Sequence, residues 1–263
     1  MSDDPDLGGE IKLGSALFTL VEPHKGHEVA YNRWYERDHF YAGCMVGPWL
    51  YAGRRWVATR DDKALRAGTR PDLFGDDDPG TYLALYFVIA GKHAEHFDWG
   101  LRQVKWLHAN DRMFEARDHI HTLLYNHGWA VGRDADGVPP ELALDHPYTS
   151  LVVQFVERAD GVDWRDLEAW FAAHAADTPT IGQTLLQRPI PLPESAPVTQ
   201  PGLDNLRRRS LLLRFSDDTP SAAAEEAADQ AELLAADGLG EVIWSSPFRP
   251  TIVGTDTYTD QLW

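Results

Sequence analysis

Four times along this chain a short apolar run of strand length leads into a segment of helical periodicity and then into another apolar run, an order that leaves few folds open. The first unit has strand Ser15 to Pro23, helix Glu28 to Ala42 and strand Leu50 to Thr59; the turn-rich stretch from Arg70 to Gly80 follows it. The second has strand Thr81 to Ala90, helix His93 to His108 and a closing strand around Gly128 to Arg133. The third has strand Ser150 to Glu157, helix Trp164 to Asp177 and then LLQRPIP, where Pro189 and Pro191 allow at most an edge strand. The fourth has strand Ser210 to Ser216, an Ala- and Glu-rich helix from Pro220 to Asp237, and a last strand beginning at Glu241. These elements predict an α+β chain of two βαββαβ halves, residues 10–135 and 147–263, joined by a linker in Gly132 to Pro147.

With 263 residues, 43% of them hydrophobic, the chain can bury substantial cores. Its longest apolar runs fall far short of the roughly 20 residues of a membrane span, and the acidic start MSDDPDLGGEIK lacks the pattern of a secretory signal, so a cytoplasmic location is expected. A formal charge of −17 disfavours nucleic acid and anionic membranes as partners. The basic triplet Arg207 to Arg209 precedes an apolar strand and reads as a solvated strand entry. One cysteine, Cys44, excludes an intramolecular disulfide and a multi-thiolate metal site; it is expected to be a small buried hydrophobe.

The stretch Asn32 to Arg55, NRWYERDHFYAGCMVGPWLYAGRR, carries the candidate chemistry. Tyr31, Tyr35 and His39 recur at i, i+4 and i+8, which places two phenols and an imidazole on one helical stripe. Neutral imidazole can take and return a proton near neutral pH, and Tyr35 can donate to a developing oxyanion. The plainer alternative for His39 is a core histidine bonded to a backbone carbonyl. Arg54 and Arg55 alternate across a strand, so one faces the helices, where it holds a substrate anion or pairs with Glu36, Asp38 or Glu95.

The order strand, W-Y-x-x-x-H on a helix, Gly-Pro, and strand with Arg-Arg resembles the dimeric α/β-barrel superfamily, above all its EthD-like and muconolactone-isomerase-like branches. The resemblance is sharp over Leu17 to Val57 and elsewhere rests on element order. It implies ferredoxin-like units paired through their sheets, here fused into an intrachain pseudo-dimer, as a monomer or a homodimer. It implies a pocket between sheet and helices, in a family of isomerases, cyclases, cofactor-free monooxygenases, haem enzymes and proteins without known activity. In the second half WYERDH is matched only by WFAAH at Trp170 to His174, so one site is expected, in the first half.

His39, Tyr35 and Arg55 are the expected catalytic residues, and Trp34, Tyr31, Trp49, Arg54, Tyr86, Trp106, His119 and His121 the expected substrate contacts. His119 and His121 form an H-x-H pair that a regular strand presents on one face, yet no Asp or Glu stands at ligand spacing, so neither metal nor another cofactor is expected. The aromatic load of the first half suits a flat, hydrophobic or aromatic ligand. The Pro-rich segment Arg188 to Gly202 either covers the pocket mouth or is a surface insertion. Nucleotide-binding glycine loops, the G-x-S-x-G elbow and H-E-x-x-H are absent. Three functions remain: a cofactor-independent isomerase, cyclase or lyase acting on a carbonyl or phenolic compound, a monooxygenase, and a non-catalytic metabolite binder.

Overall fold

The computed structural model describes residues 10–68, 71–75, 79–191 and 203–263. Eight antiparallel strands close into one barrel in the order β1-β3-β2-β8-β5-β7-β6-β4. The first half supplies β1 (Leu13–Pro23), β2 (Leu50–Val57), β3 (Tyr82–Ile89) and β4 (Arg117–Gly132); the second supplies β5 (Ser150–Arg158), β6 (Ile181–Pro189), β7 (Arg209–Ser216) and β8 (Gly240–Pro250). Helices α1 (Glu28–Trp34), α2 (Arg60–Lys63), α3 (Pro71–Phe74) and α4 (His93–Ala109) belong to the first half, α5 (Trp164–Ala173) and α6 (Pro220–Ala236) to the second. This is a fused pair of ferredoxin-like units, the intrachain form of the dimeric α/β barrel.

A closed barrel explains why the strands read as unbroken apolar runs: both of their faces are covered. Inward side chains, among them Phe18, Trp56, Phe87, Phe155, Phe215 and Trp244, make the barrel core. Outward ones pack under helices, Tyr82 and Tyr86 against the helical Tyr31 and Tyr35, and Trp129, Leu186 and Leu212 against Trp170, Phe171 and Leu234 of α5 and α6. No helix among the described residues is long and apolar enough to cross a membrane.

The two seams between the halves differ. β4 and β6 pair from Tyr125↔Pro189 to Gly132↔Gln183, whereas β2 and β8 share only Trp56↔Pro250 and Val57↔Arg249. The short seam is reinforced by the segment after β8: Asn32 Nδ2 donates to the Thr255 carbonyl at 2.9 Å, Gly254 N to Glu36 at 2.9 Å, and Leu262 is buried beside α1.

Four sequence expectations change here. β6 is an interior strand bonded to both β4 and β7, because Pro189 falls at its last position and Pro191 beyond it, where no ladder donor is required. The closing strand of the second unit starts at Arg117, well before Gly128, since its polar outward residues obscure the alternation. Within the linker, Ala143, Leu144 and Tyr148 are buried in the barrel core, so the segment is packed. Of the basic triplet, Arg209 is buried while Arg207 and Arg208 are exposed. The Pro-rich segment lies largely outside the described residues.

Candidate functional site

Helix α1 does not stop at Trp34. It runs on as a π-helix from Tyr35 to Met45, whose wider turn closes i to i+5. In that winding the Trp34 and His39 rings, five residues apart, stack at 4.5 Å and 20°. In the second half, Trp170 and His174 stand four apart on a regular helix and stack at 4.3 Å and 29°. The extra residue of the first half is thus absorbed by the π-turns, and the same ring pair is kept.

Beneath the π-helix and α4, against the outer face of β1, β3 and β4, lies a cavity of about 220 Å³. Its apolar wall includes Leu17, Phe97, Leu101, Val104 and Leu124; its polar groups are Thr19, Tyr35, His39, Cys44, Tyr86, His96, Arg117, His119 and Thr122. Gly100 lines it in mid-helix, where a Cβ would meet no heavy atom within 4 Å. Since glycine inside a helix costs about 0.5–1 kcal/mol against alanine, Gly100→Ala should raise stability by about that amount in chemical denaturation. The open space at Gly100 is therefore kept against helix propensity.

The expected residues divide. His39, Tyr35, Tyr86 and His119 line the cavity. Trp34 stands behind the His39 ring, and Tyr31, 1% exposed, packs behind Tyr35. Arg55 faces the helices but sits under the π-helix outside the cavity, bonded to Asn32 at 2.9 Å, 3.2 Å from Glu36 and over the Tyr35 ring at 4.6 Å. The ion-pair alternative therefore holds, and the catalytic assignment for Arg55 is corrected. Arg54 turns to the barrel side, over Trp56, and donates to the carbonyls of His146 and Tyr148. Trp49 lies under Lys92 and Trp106 is half exposed over Arg112, neither of them lining the cavity.

His119 and His121 also part company. Opposite Leu20 and Val21 the register skips Ile120, and this bulge sends His119 outward to the cavity and His121 into the barrel among Phe18, Phe74 and Phe155. His121 Nε2 meets Tyr125 Oη at 2.6 Å, so it is a core histidine, not a ligand contact. Burial lowers His121 to about 3, with Arg209 adding to the effect. Folded protein keeps this imidazole neutral while the unfolded chain protonates it below about 6.5, so its contribution is whole above that pH and is lost as pH falls toward 3. Denaturant unfolding at about pH 7 and about pH 5 should show a loss on acidification that is smaller in His121→Phe.

Sequence reasoning missed Thr19, Thr122, Cys44, His96, Met113 and Arg117. A stripe on α4, His96, Gly100, Leu101 and Val104, was the available signal, since it mixes a glycine into an apolar face at i, i+4, i+5 and i+8.

The electrostatics favour a neutral base among held donors. Burial pushes His39 down to about 3, helped by the nearby Arg117, and its Nδ1 is buried without a hydrogen-bond partner. Tyr35 and Tyr86, both held far above the usual phenol range by burial, bond to each other at 2.9 Å, and Tyr86 also bonds Cys44. Three hydrogens serve two links in that chain, so one remains to donate elsewhere. In the second half Gln154 on β5 and Arg214 on β7 are buried and bonded to one another and to α6 through Gln230 and the Ala227 carbonyl. There a pocket of only about 10 Å³ opens between α5 and β6, and His174 Nδ1 bonds the Trp170 carbonyl at 2.8 Å. Among the described residues no cluster of three or more His, Cys, Asp or Glu side chains is placed to hold a metal ion.

No family model matches the chain, and no curated protein matches it. Solved structures do. An anthrone oxidase-like protein aligns over 93% of this chain and 95% of its own, at 9% identity and TM-score 0.53. A candidate chlorite dismutase aligns over 96% and 100%, at 10% identity and TM-score 0.54. A variant of DypB from Rhodococcus jostii RHA1, in complex with heme, aligns over 95% and 96%, at 11% identity and TM-score 0.51. At these identities the likeness is one of fold: the chain shares the dimeric α/β-barrel architecture along nearly its whole length.

Proposed function

We propose that this chain is an enzyme that moves a proton on a small hydrophobic ketone or phenol, with His39 as the base and the Tyr35–Tyr86 pair as donor to the oxyanion. The observation that carries the reading is the buried, unpartnered Nδ1 of His39 on the wall of the cavity. The proton leaves the carbon next to the carbonyl, His39 receives it, and the electron pair moves onto the carbonyl oxygen, which accepts the spare hydrogen of the Tyr35–Tyr86–Cys44 chain. An imidazole pushed down to about 3 is a weak base in the empty cavity. The enolate formed beside it raises its proton affinity at the moment of transfer, because an opposite charge favours the imidazolium. Return of the proton at another carbon gives isomerisation. Where the substrate carries a leaving group on the β-carbon, collapse of the enolate expels that group with its bonding pair and gives elimination. The sequence resemblance to the EthD-like and muconolactone-isomerase-like branches implies chemistry of this kind.

A second reading shares the first step. An electron-rich enolate or phenolate reacts with dioxygen, and the anthrone oxidase-like fold neighbour favours keeping oxygenation in the test. Haem, held by the DypB neighbour, does not fit this cavity, since a tetrapyrrole with its propionates is larger than about 220 Å³.

The test is deuterium uptake from D2O into 2-tetralone, followed by mass spectrometry alongside an oxygen electrode. Exchange without oxygen uptake supports the isomerase-type reading, and oxygen uptake supports oxygenation. Binding without either supports a metabolite binder and overturns catalysis. Gly100→Leu, which fills open space, should abolish binding and exchange while leaving the thermal transition near that of the parent.

A further inference from the structure

Arg117 sets the cavity apart from an ordinary apolar pocket. It is a lining residue, its guanidinium lies 4.8 Å over the Trp34 ring, and Nη2 donates to His119 Nε2 at 3.2 Å. Because an arginine only donates, Nε2 of His119 is the accepting nitrogen, which leaves the ring proton on Nδ1 to bond Thr122 Oγ1 at 3.0 Å. His119 is thus fixed as a neutral tautomer and cannot balance the arginine. Neighbouring acids are engaged elsewhere, Asp118 with His24 at 3.2 Å and Asp38 with Arg112. Among the described residues, no carboxylate pairs with Arg117, in contrast to Arg33, Arg55, Arg112 and Arg249. A chain of charge −17 has placed an acid-free guanidinium on the wall of the cavity under its helices.

We propose that the ligand of this cavity is an amphiphilic acid, its flat apolar body lying against Leu17, Phe97, Leu101 and Val104 and its carboxylate held by Arg117. The geometry suits this division, since the apolar side chains come from α4 and β1 while Arg117 stands at the start of β4, so the two ends of a short ligand meet different chemistry. A planar guanidinium stacked on an indole keeps a donor edge directed away from the ring, and a carboxylate matches that edge with two parallel bonds. The proposal rests on the preceding reading only in taking this cavity as the substrate site.

The experiment compares 2-naphthoate with its uncharged counterpart 2-acetonaphthone by calorimetric titration at about pH 7, where the carboxylate is ionised. The wild type should bind the carboxylate about tenfold more tightly, the size expected of a hydrogen-bonded charge. Arg117→Met should bind both equally, with affinity for the ketone retained, and Gly100→Leu should bind neither. Equal binding by the wild type overturns the proposal without reference to any variant, as does a preference that survives in Arg117→Met, or naphthoate binding that survives in Gly100→Leu. Should Arg117→Met not fold, Arg117→Gln, which keeps a donor toward His119, reads the same preference. A preference through Arg117 without deuterium exchange in 2-tetralone sinks the catalytic reading and leaves this one standing. Exchange without the preference sinks this one alone.

Discussion

His39→Phe should yield a folded protein that still binds 2-tetralone and exchanges its hydrogens no faster than buffer. Phenylalanine keeps a ring to stack on Trp34 and to cover Gly43, whose added Cβ would stand 2.8 Å from the imidazole, so the packing around position 39 survives. What disappears is, among the described residues, the only ring nitrogen lining the cavity that is buried and unpartnered. The loss expected of a missing general base is about 10²–10⁴-fold, against a stability change below about 2 kcal/mol. His174→Ala should leave exchange nearly intact, because His174 is already bonded to a carbonyl and borders no comparable cavity. A His39→Phe protein that unfolds, or that exchanges at the parental rate once folded, marks His39 as a core residue. Chemistry would then have to be sought at His96 or His119.

The architecture was legible because the barrel makes most strands, though not β4, apolar on both faces, and α6 and the helices at His93 and Trp164 announce themselves by composition and period. The winding of the segment after Trp34 was not legible, because π-turns have no residue signature; the clue was the one-residue excess of WYERDH over WFAAH. A single unpaired residue, Ile120, reversed the reading of the H-x-H pair, since a bulge inverts the side of every residue beyond it. Arg117 escaped notice because its partner Trp34 lies on a distant element and nothing local marks its orientation. That Arg54 and Arg55 face opposite ways follows from strand alternation, whereas the partners they find depend on the position of Glu36 in the π-helix and on the carbonyls of the packed linker.

The largest stability effect is expected at the short seam. Arg249 on β8 donates to both oxygens of Asp62 on α2, from Nε at 2.8 Å and Nη2 at 2.6 Å. The same carboxylate accepts from the Thr59 amide at 2.9 Å and hydroxyl at 2.7 Å as the cap of α2. Its side chain is 2% exposed, against 29% for Arg249. The two removals are therefore unequal. Arg249→Met strands a buried carboxylate and should cost about 3–5 kcal/mol. Asp62→Ala forfeits the cap, worth about 0.5–2 kcal/mol, and leaves a guanidinium that water can reach, so its cost should be the smaller of the two. The double variant should be less destabilised than the sum, because with Asp62 gone no carboxylate is left stranded. With only two residue pairs joining β2 and β8, hydrogen exchange in Arg249→Met should rise first at Trp56, Val57 and the segment after Pro250, while the long β4·β6 seam keeps its protection. Uniform loss of protection at both seams would mean that the barrel opens only as a whole, and that the clamp adds to global stability without holding one edge shut.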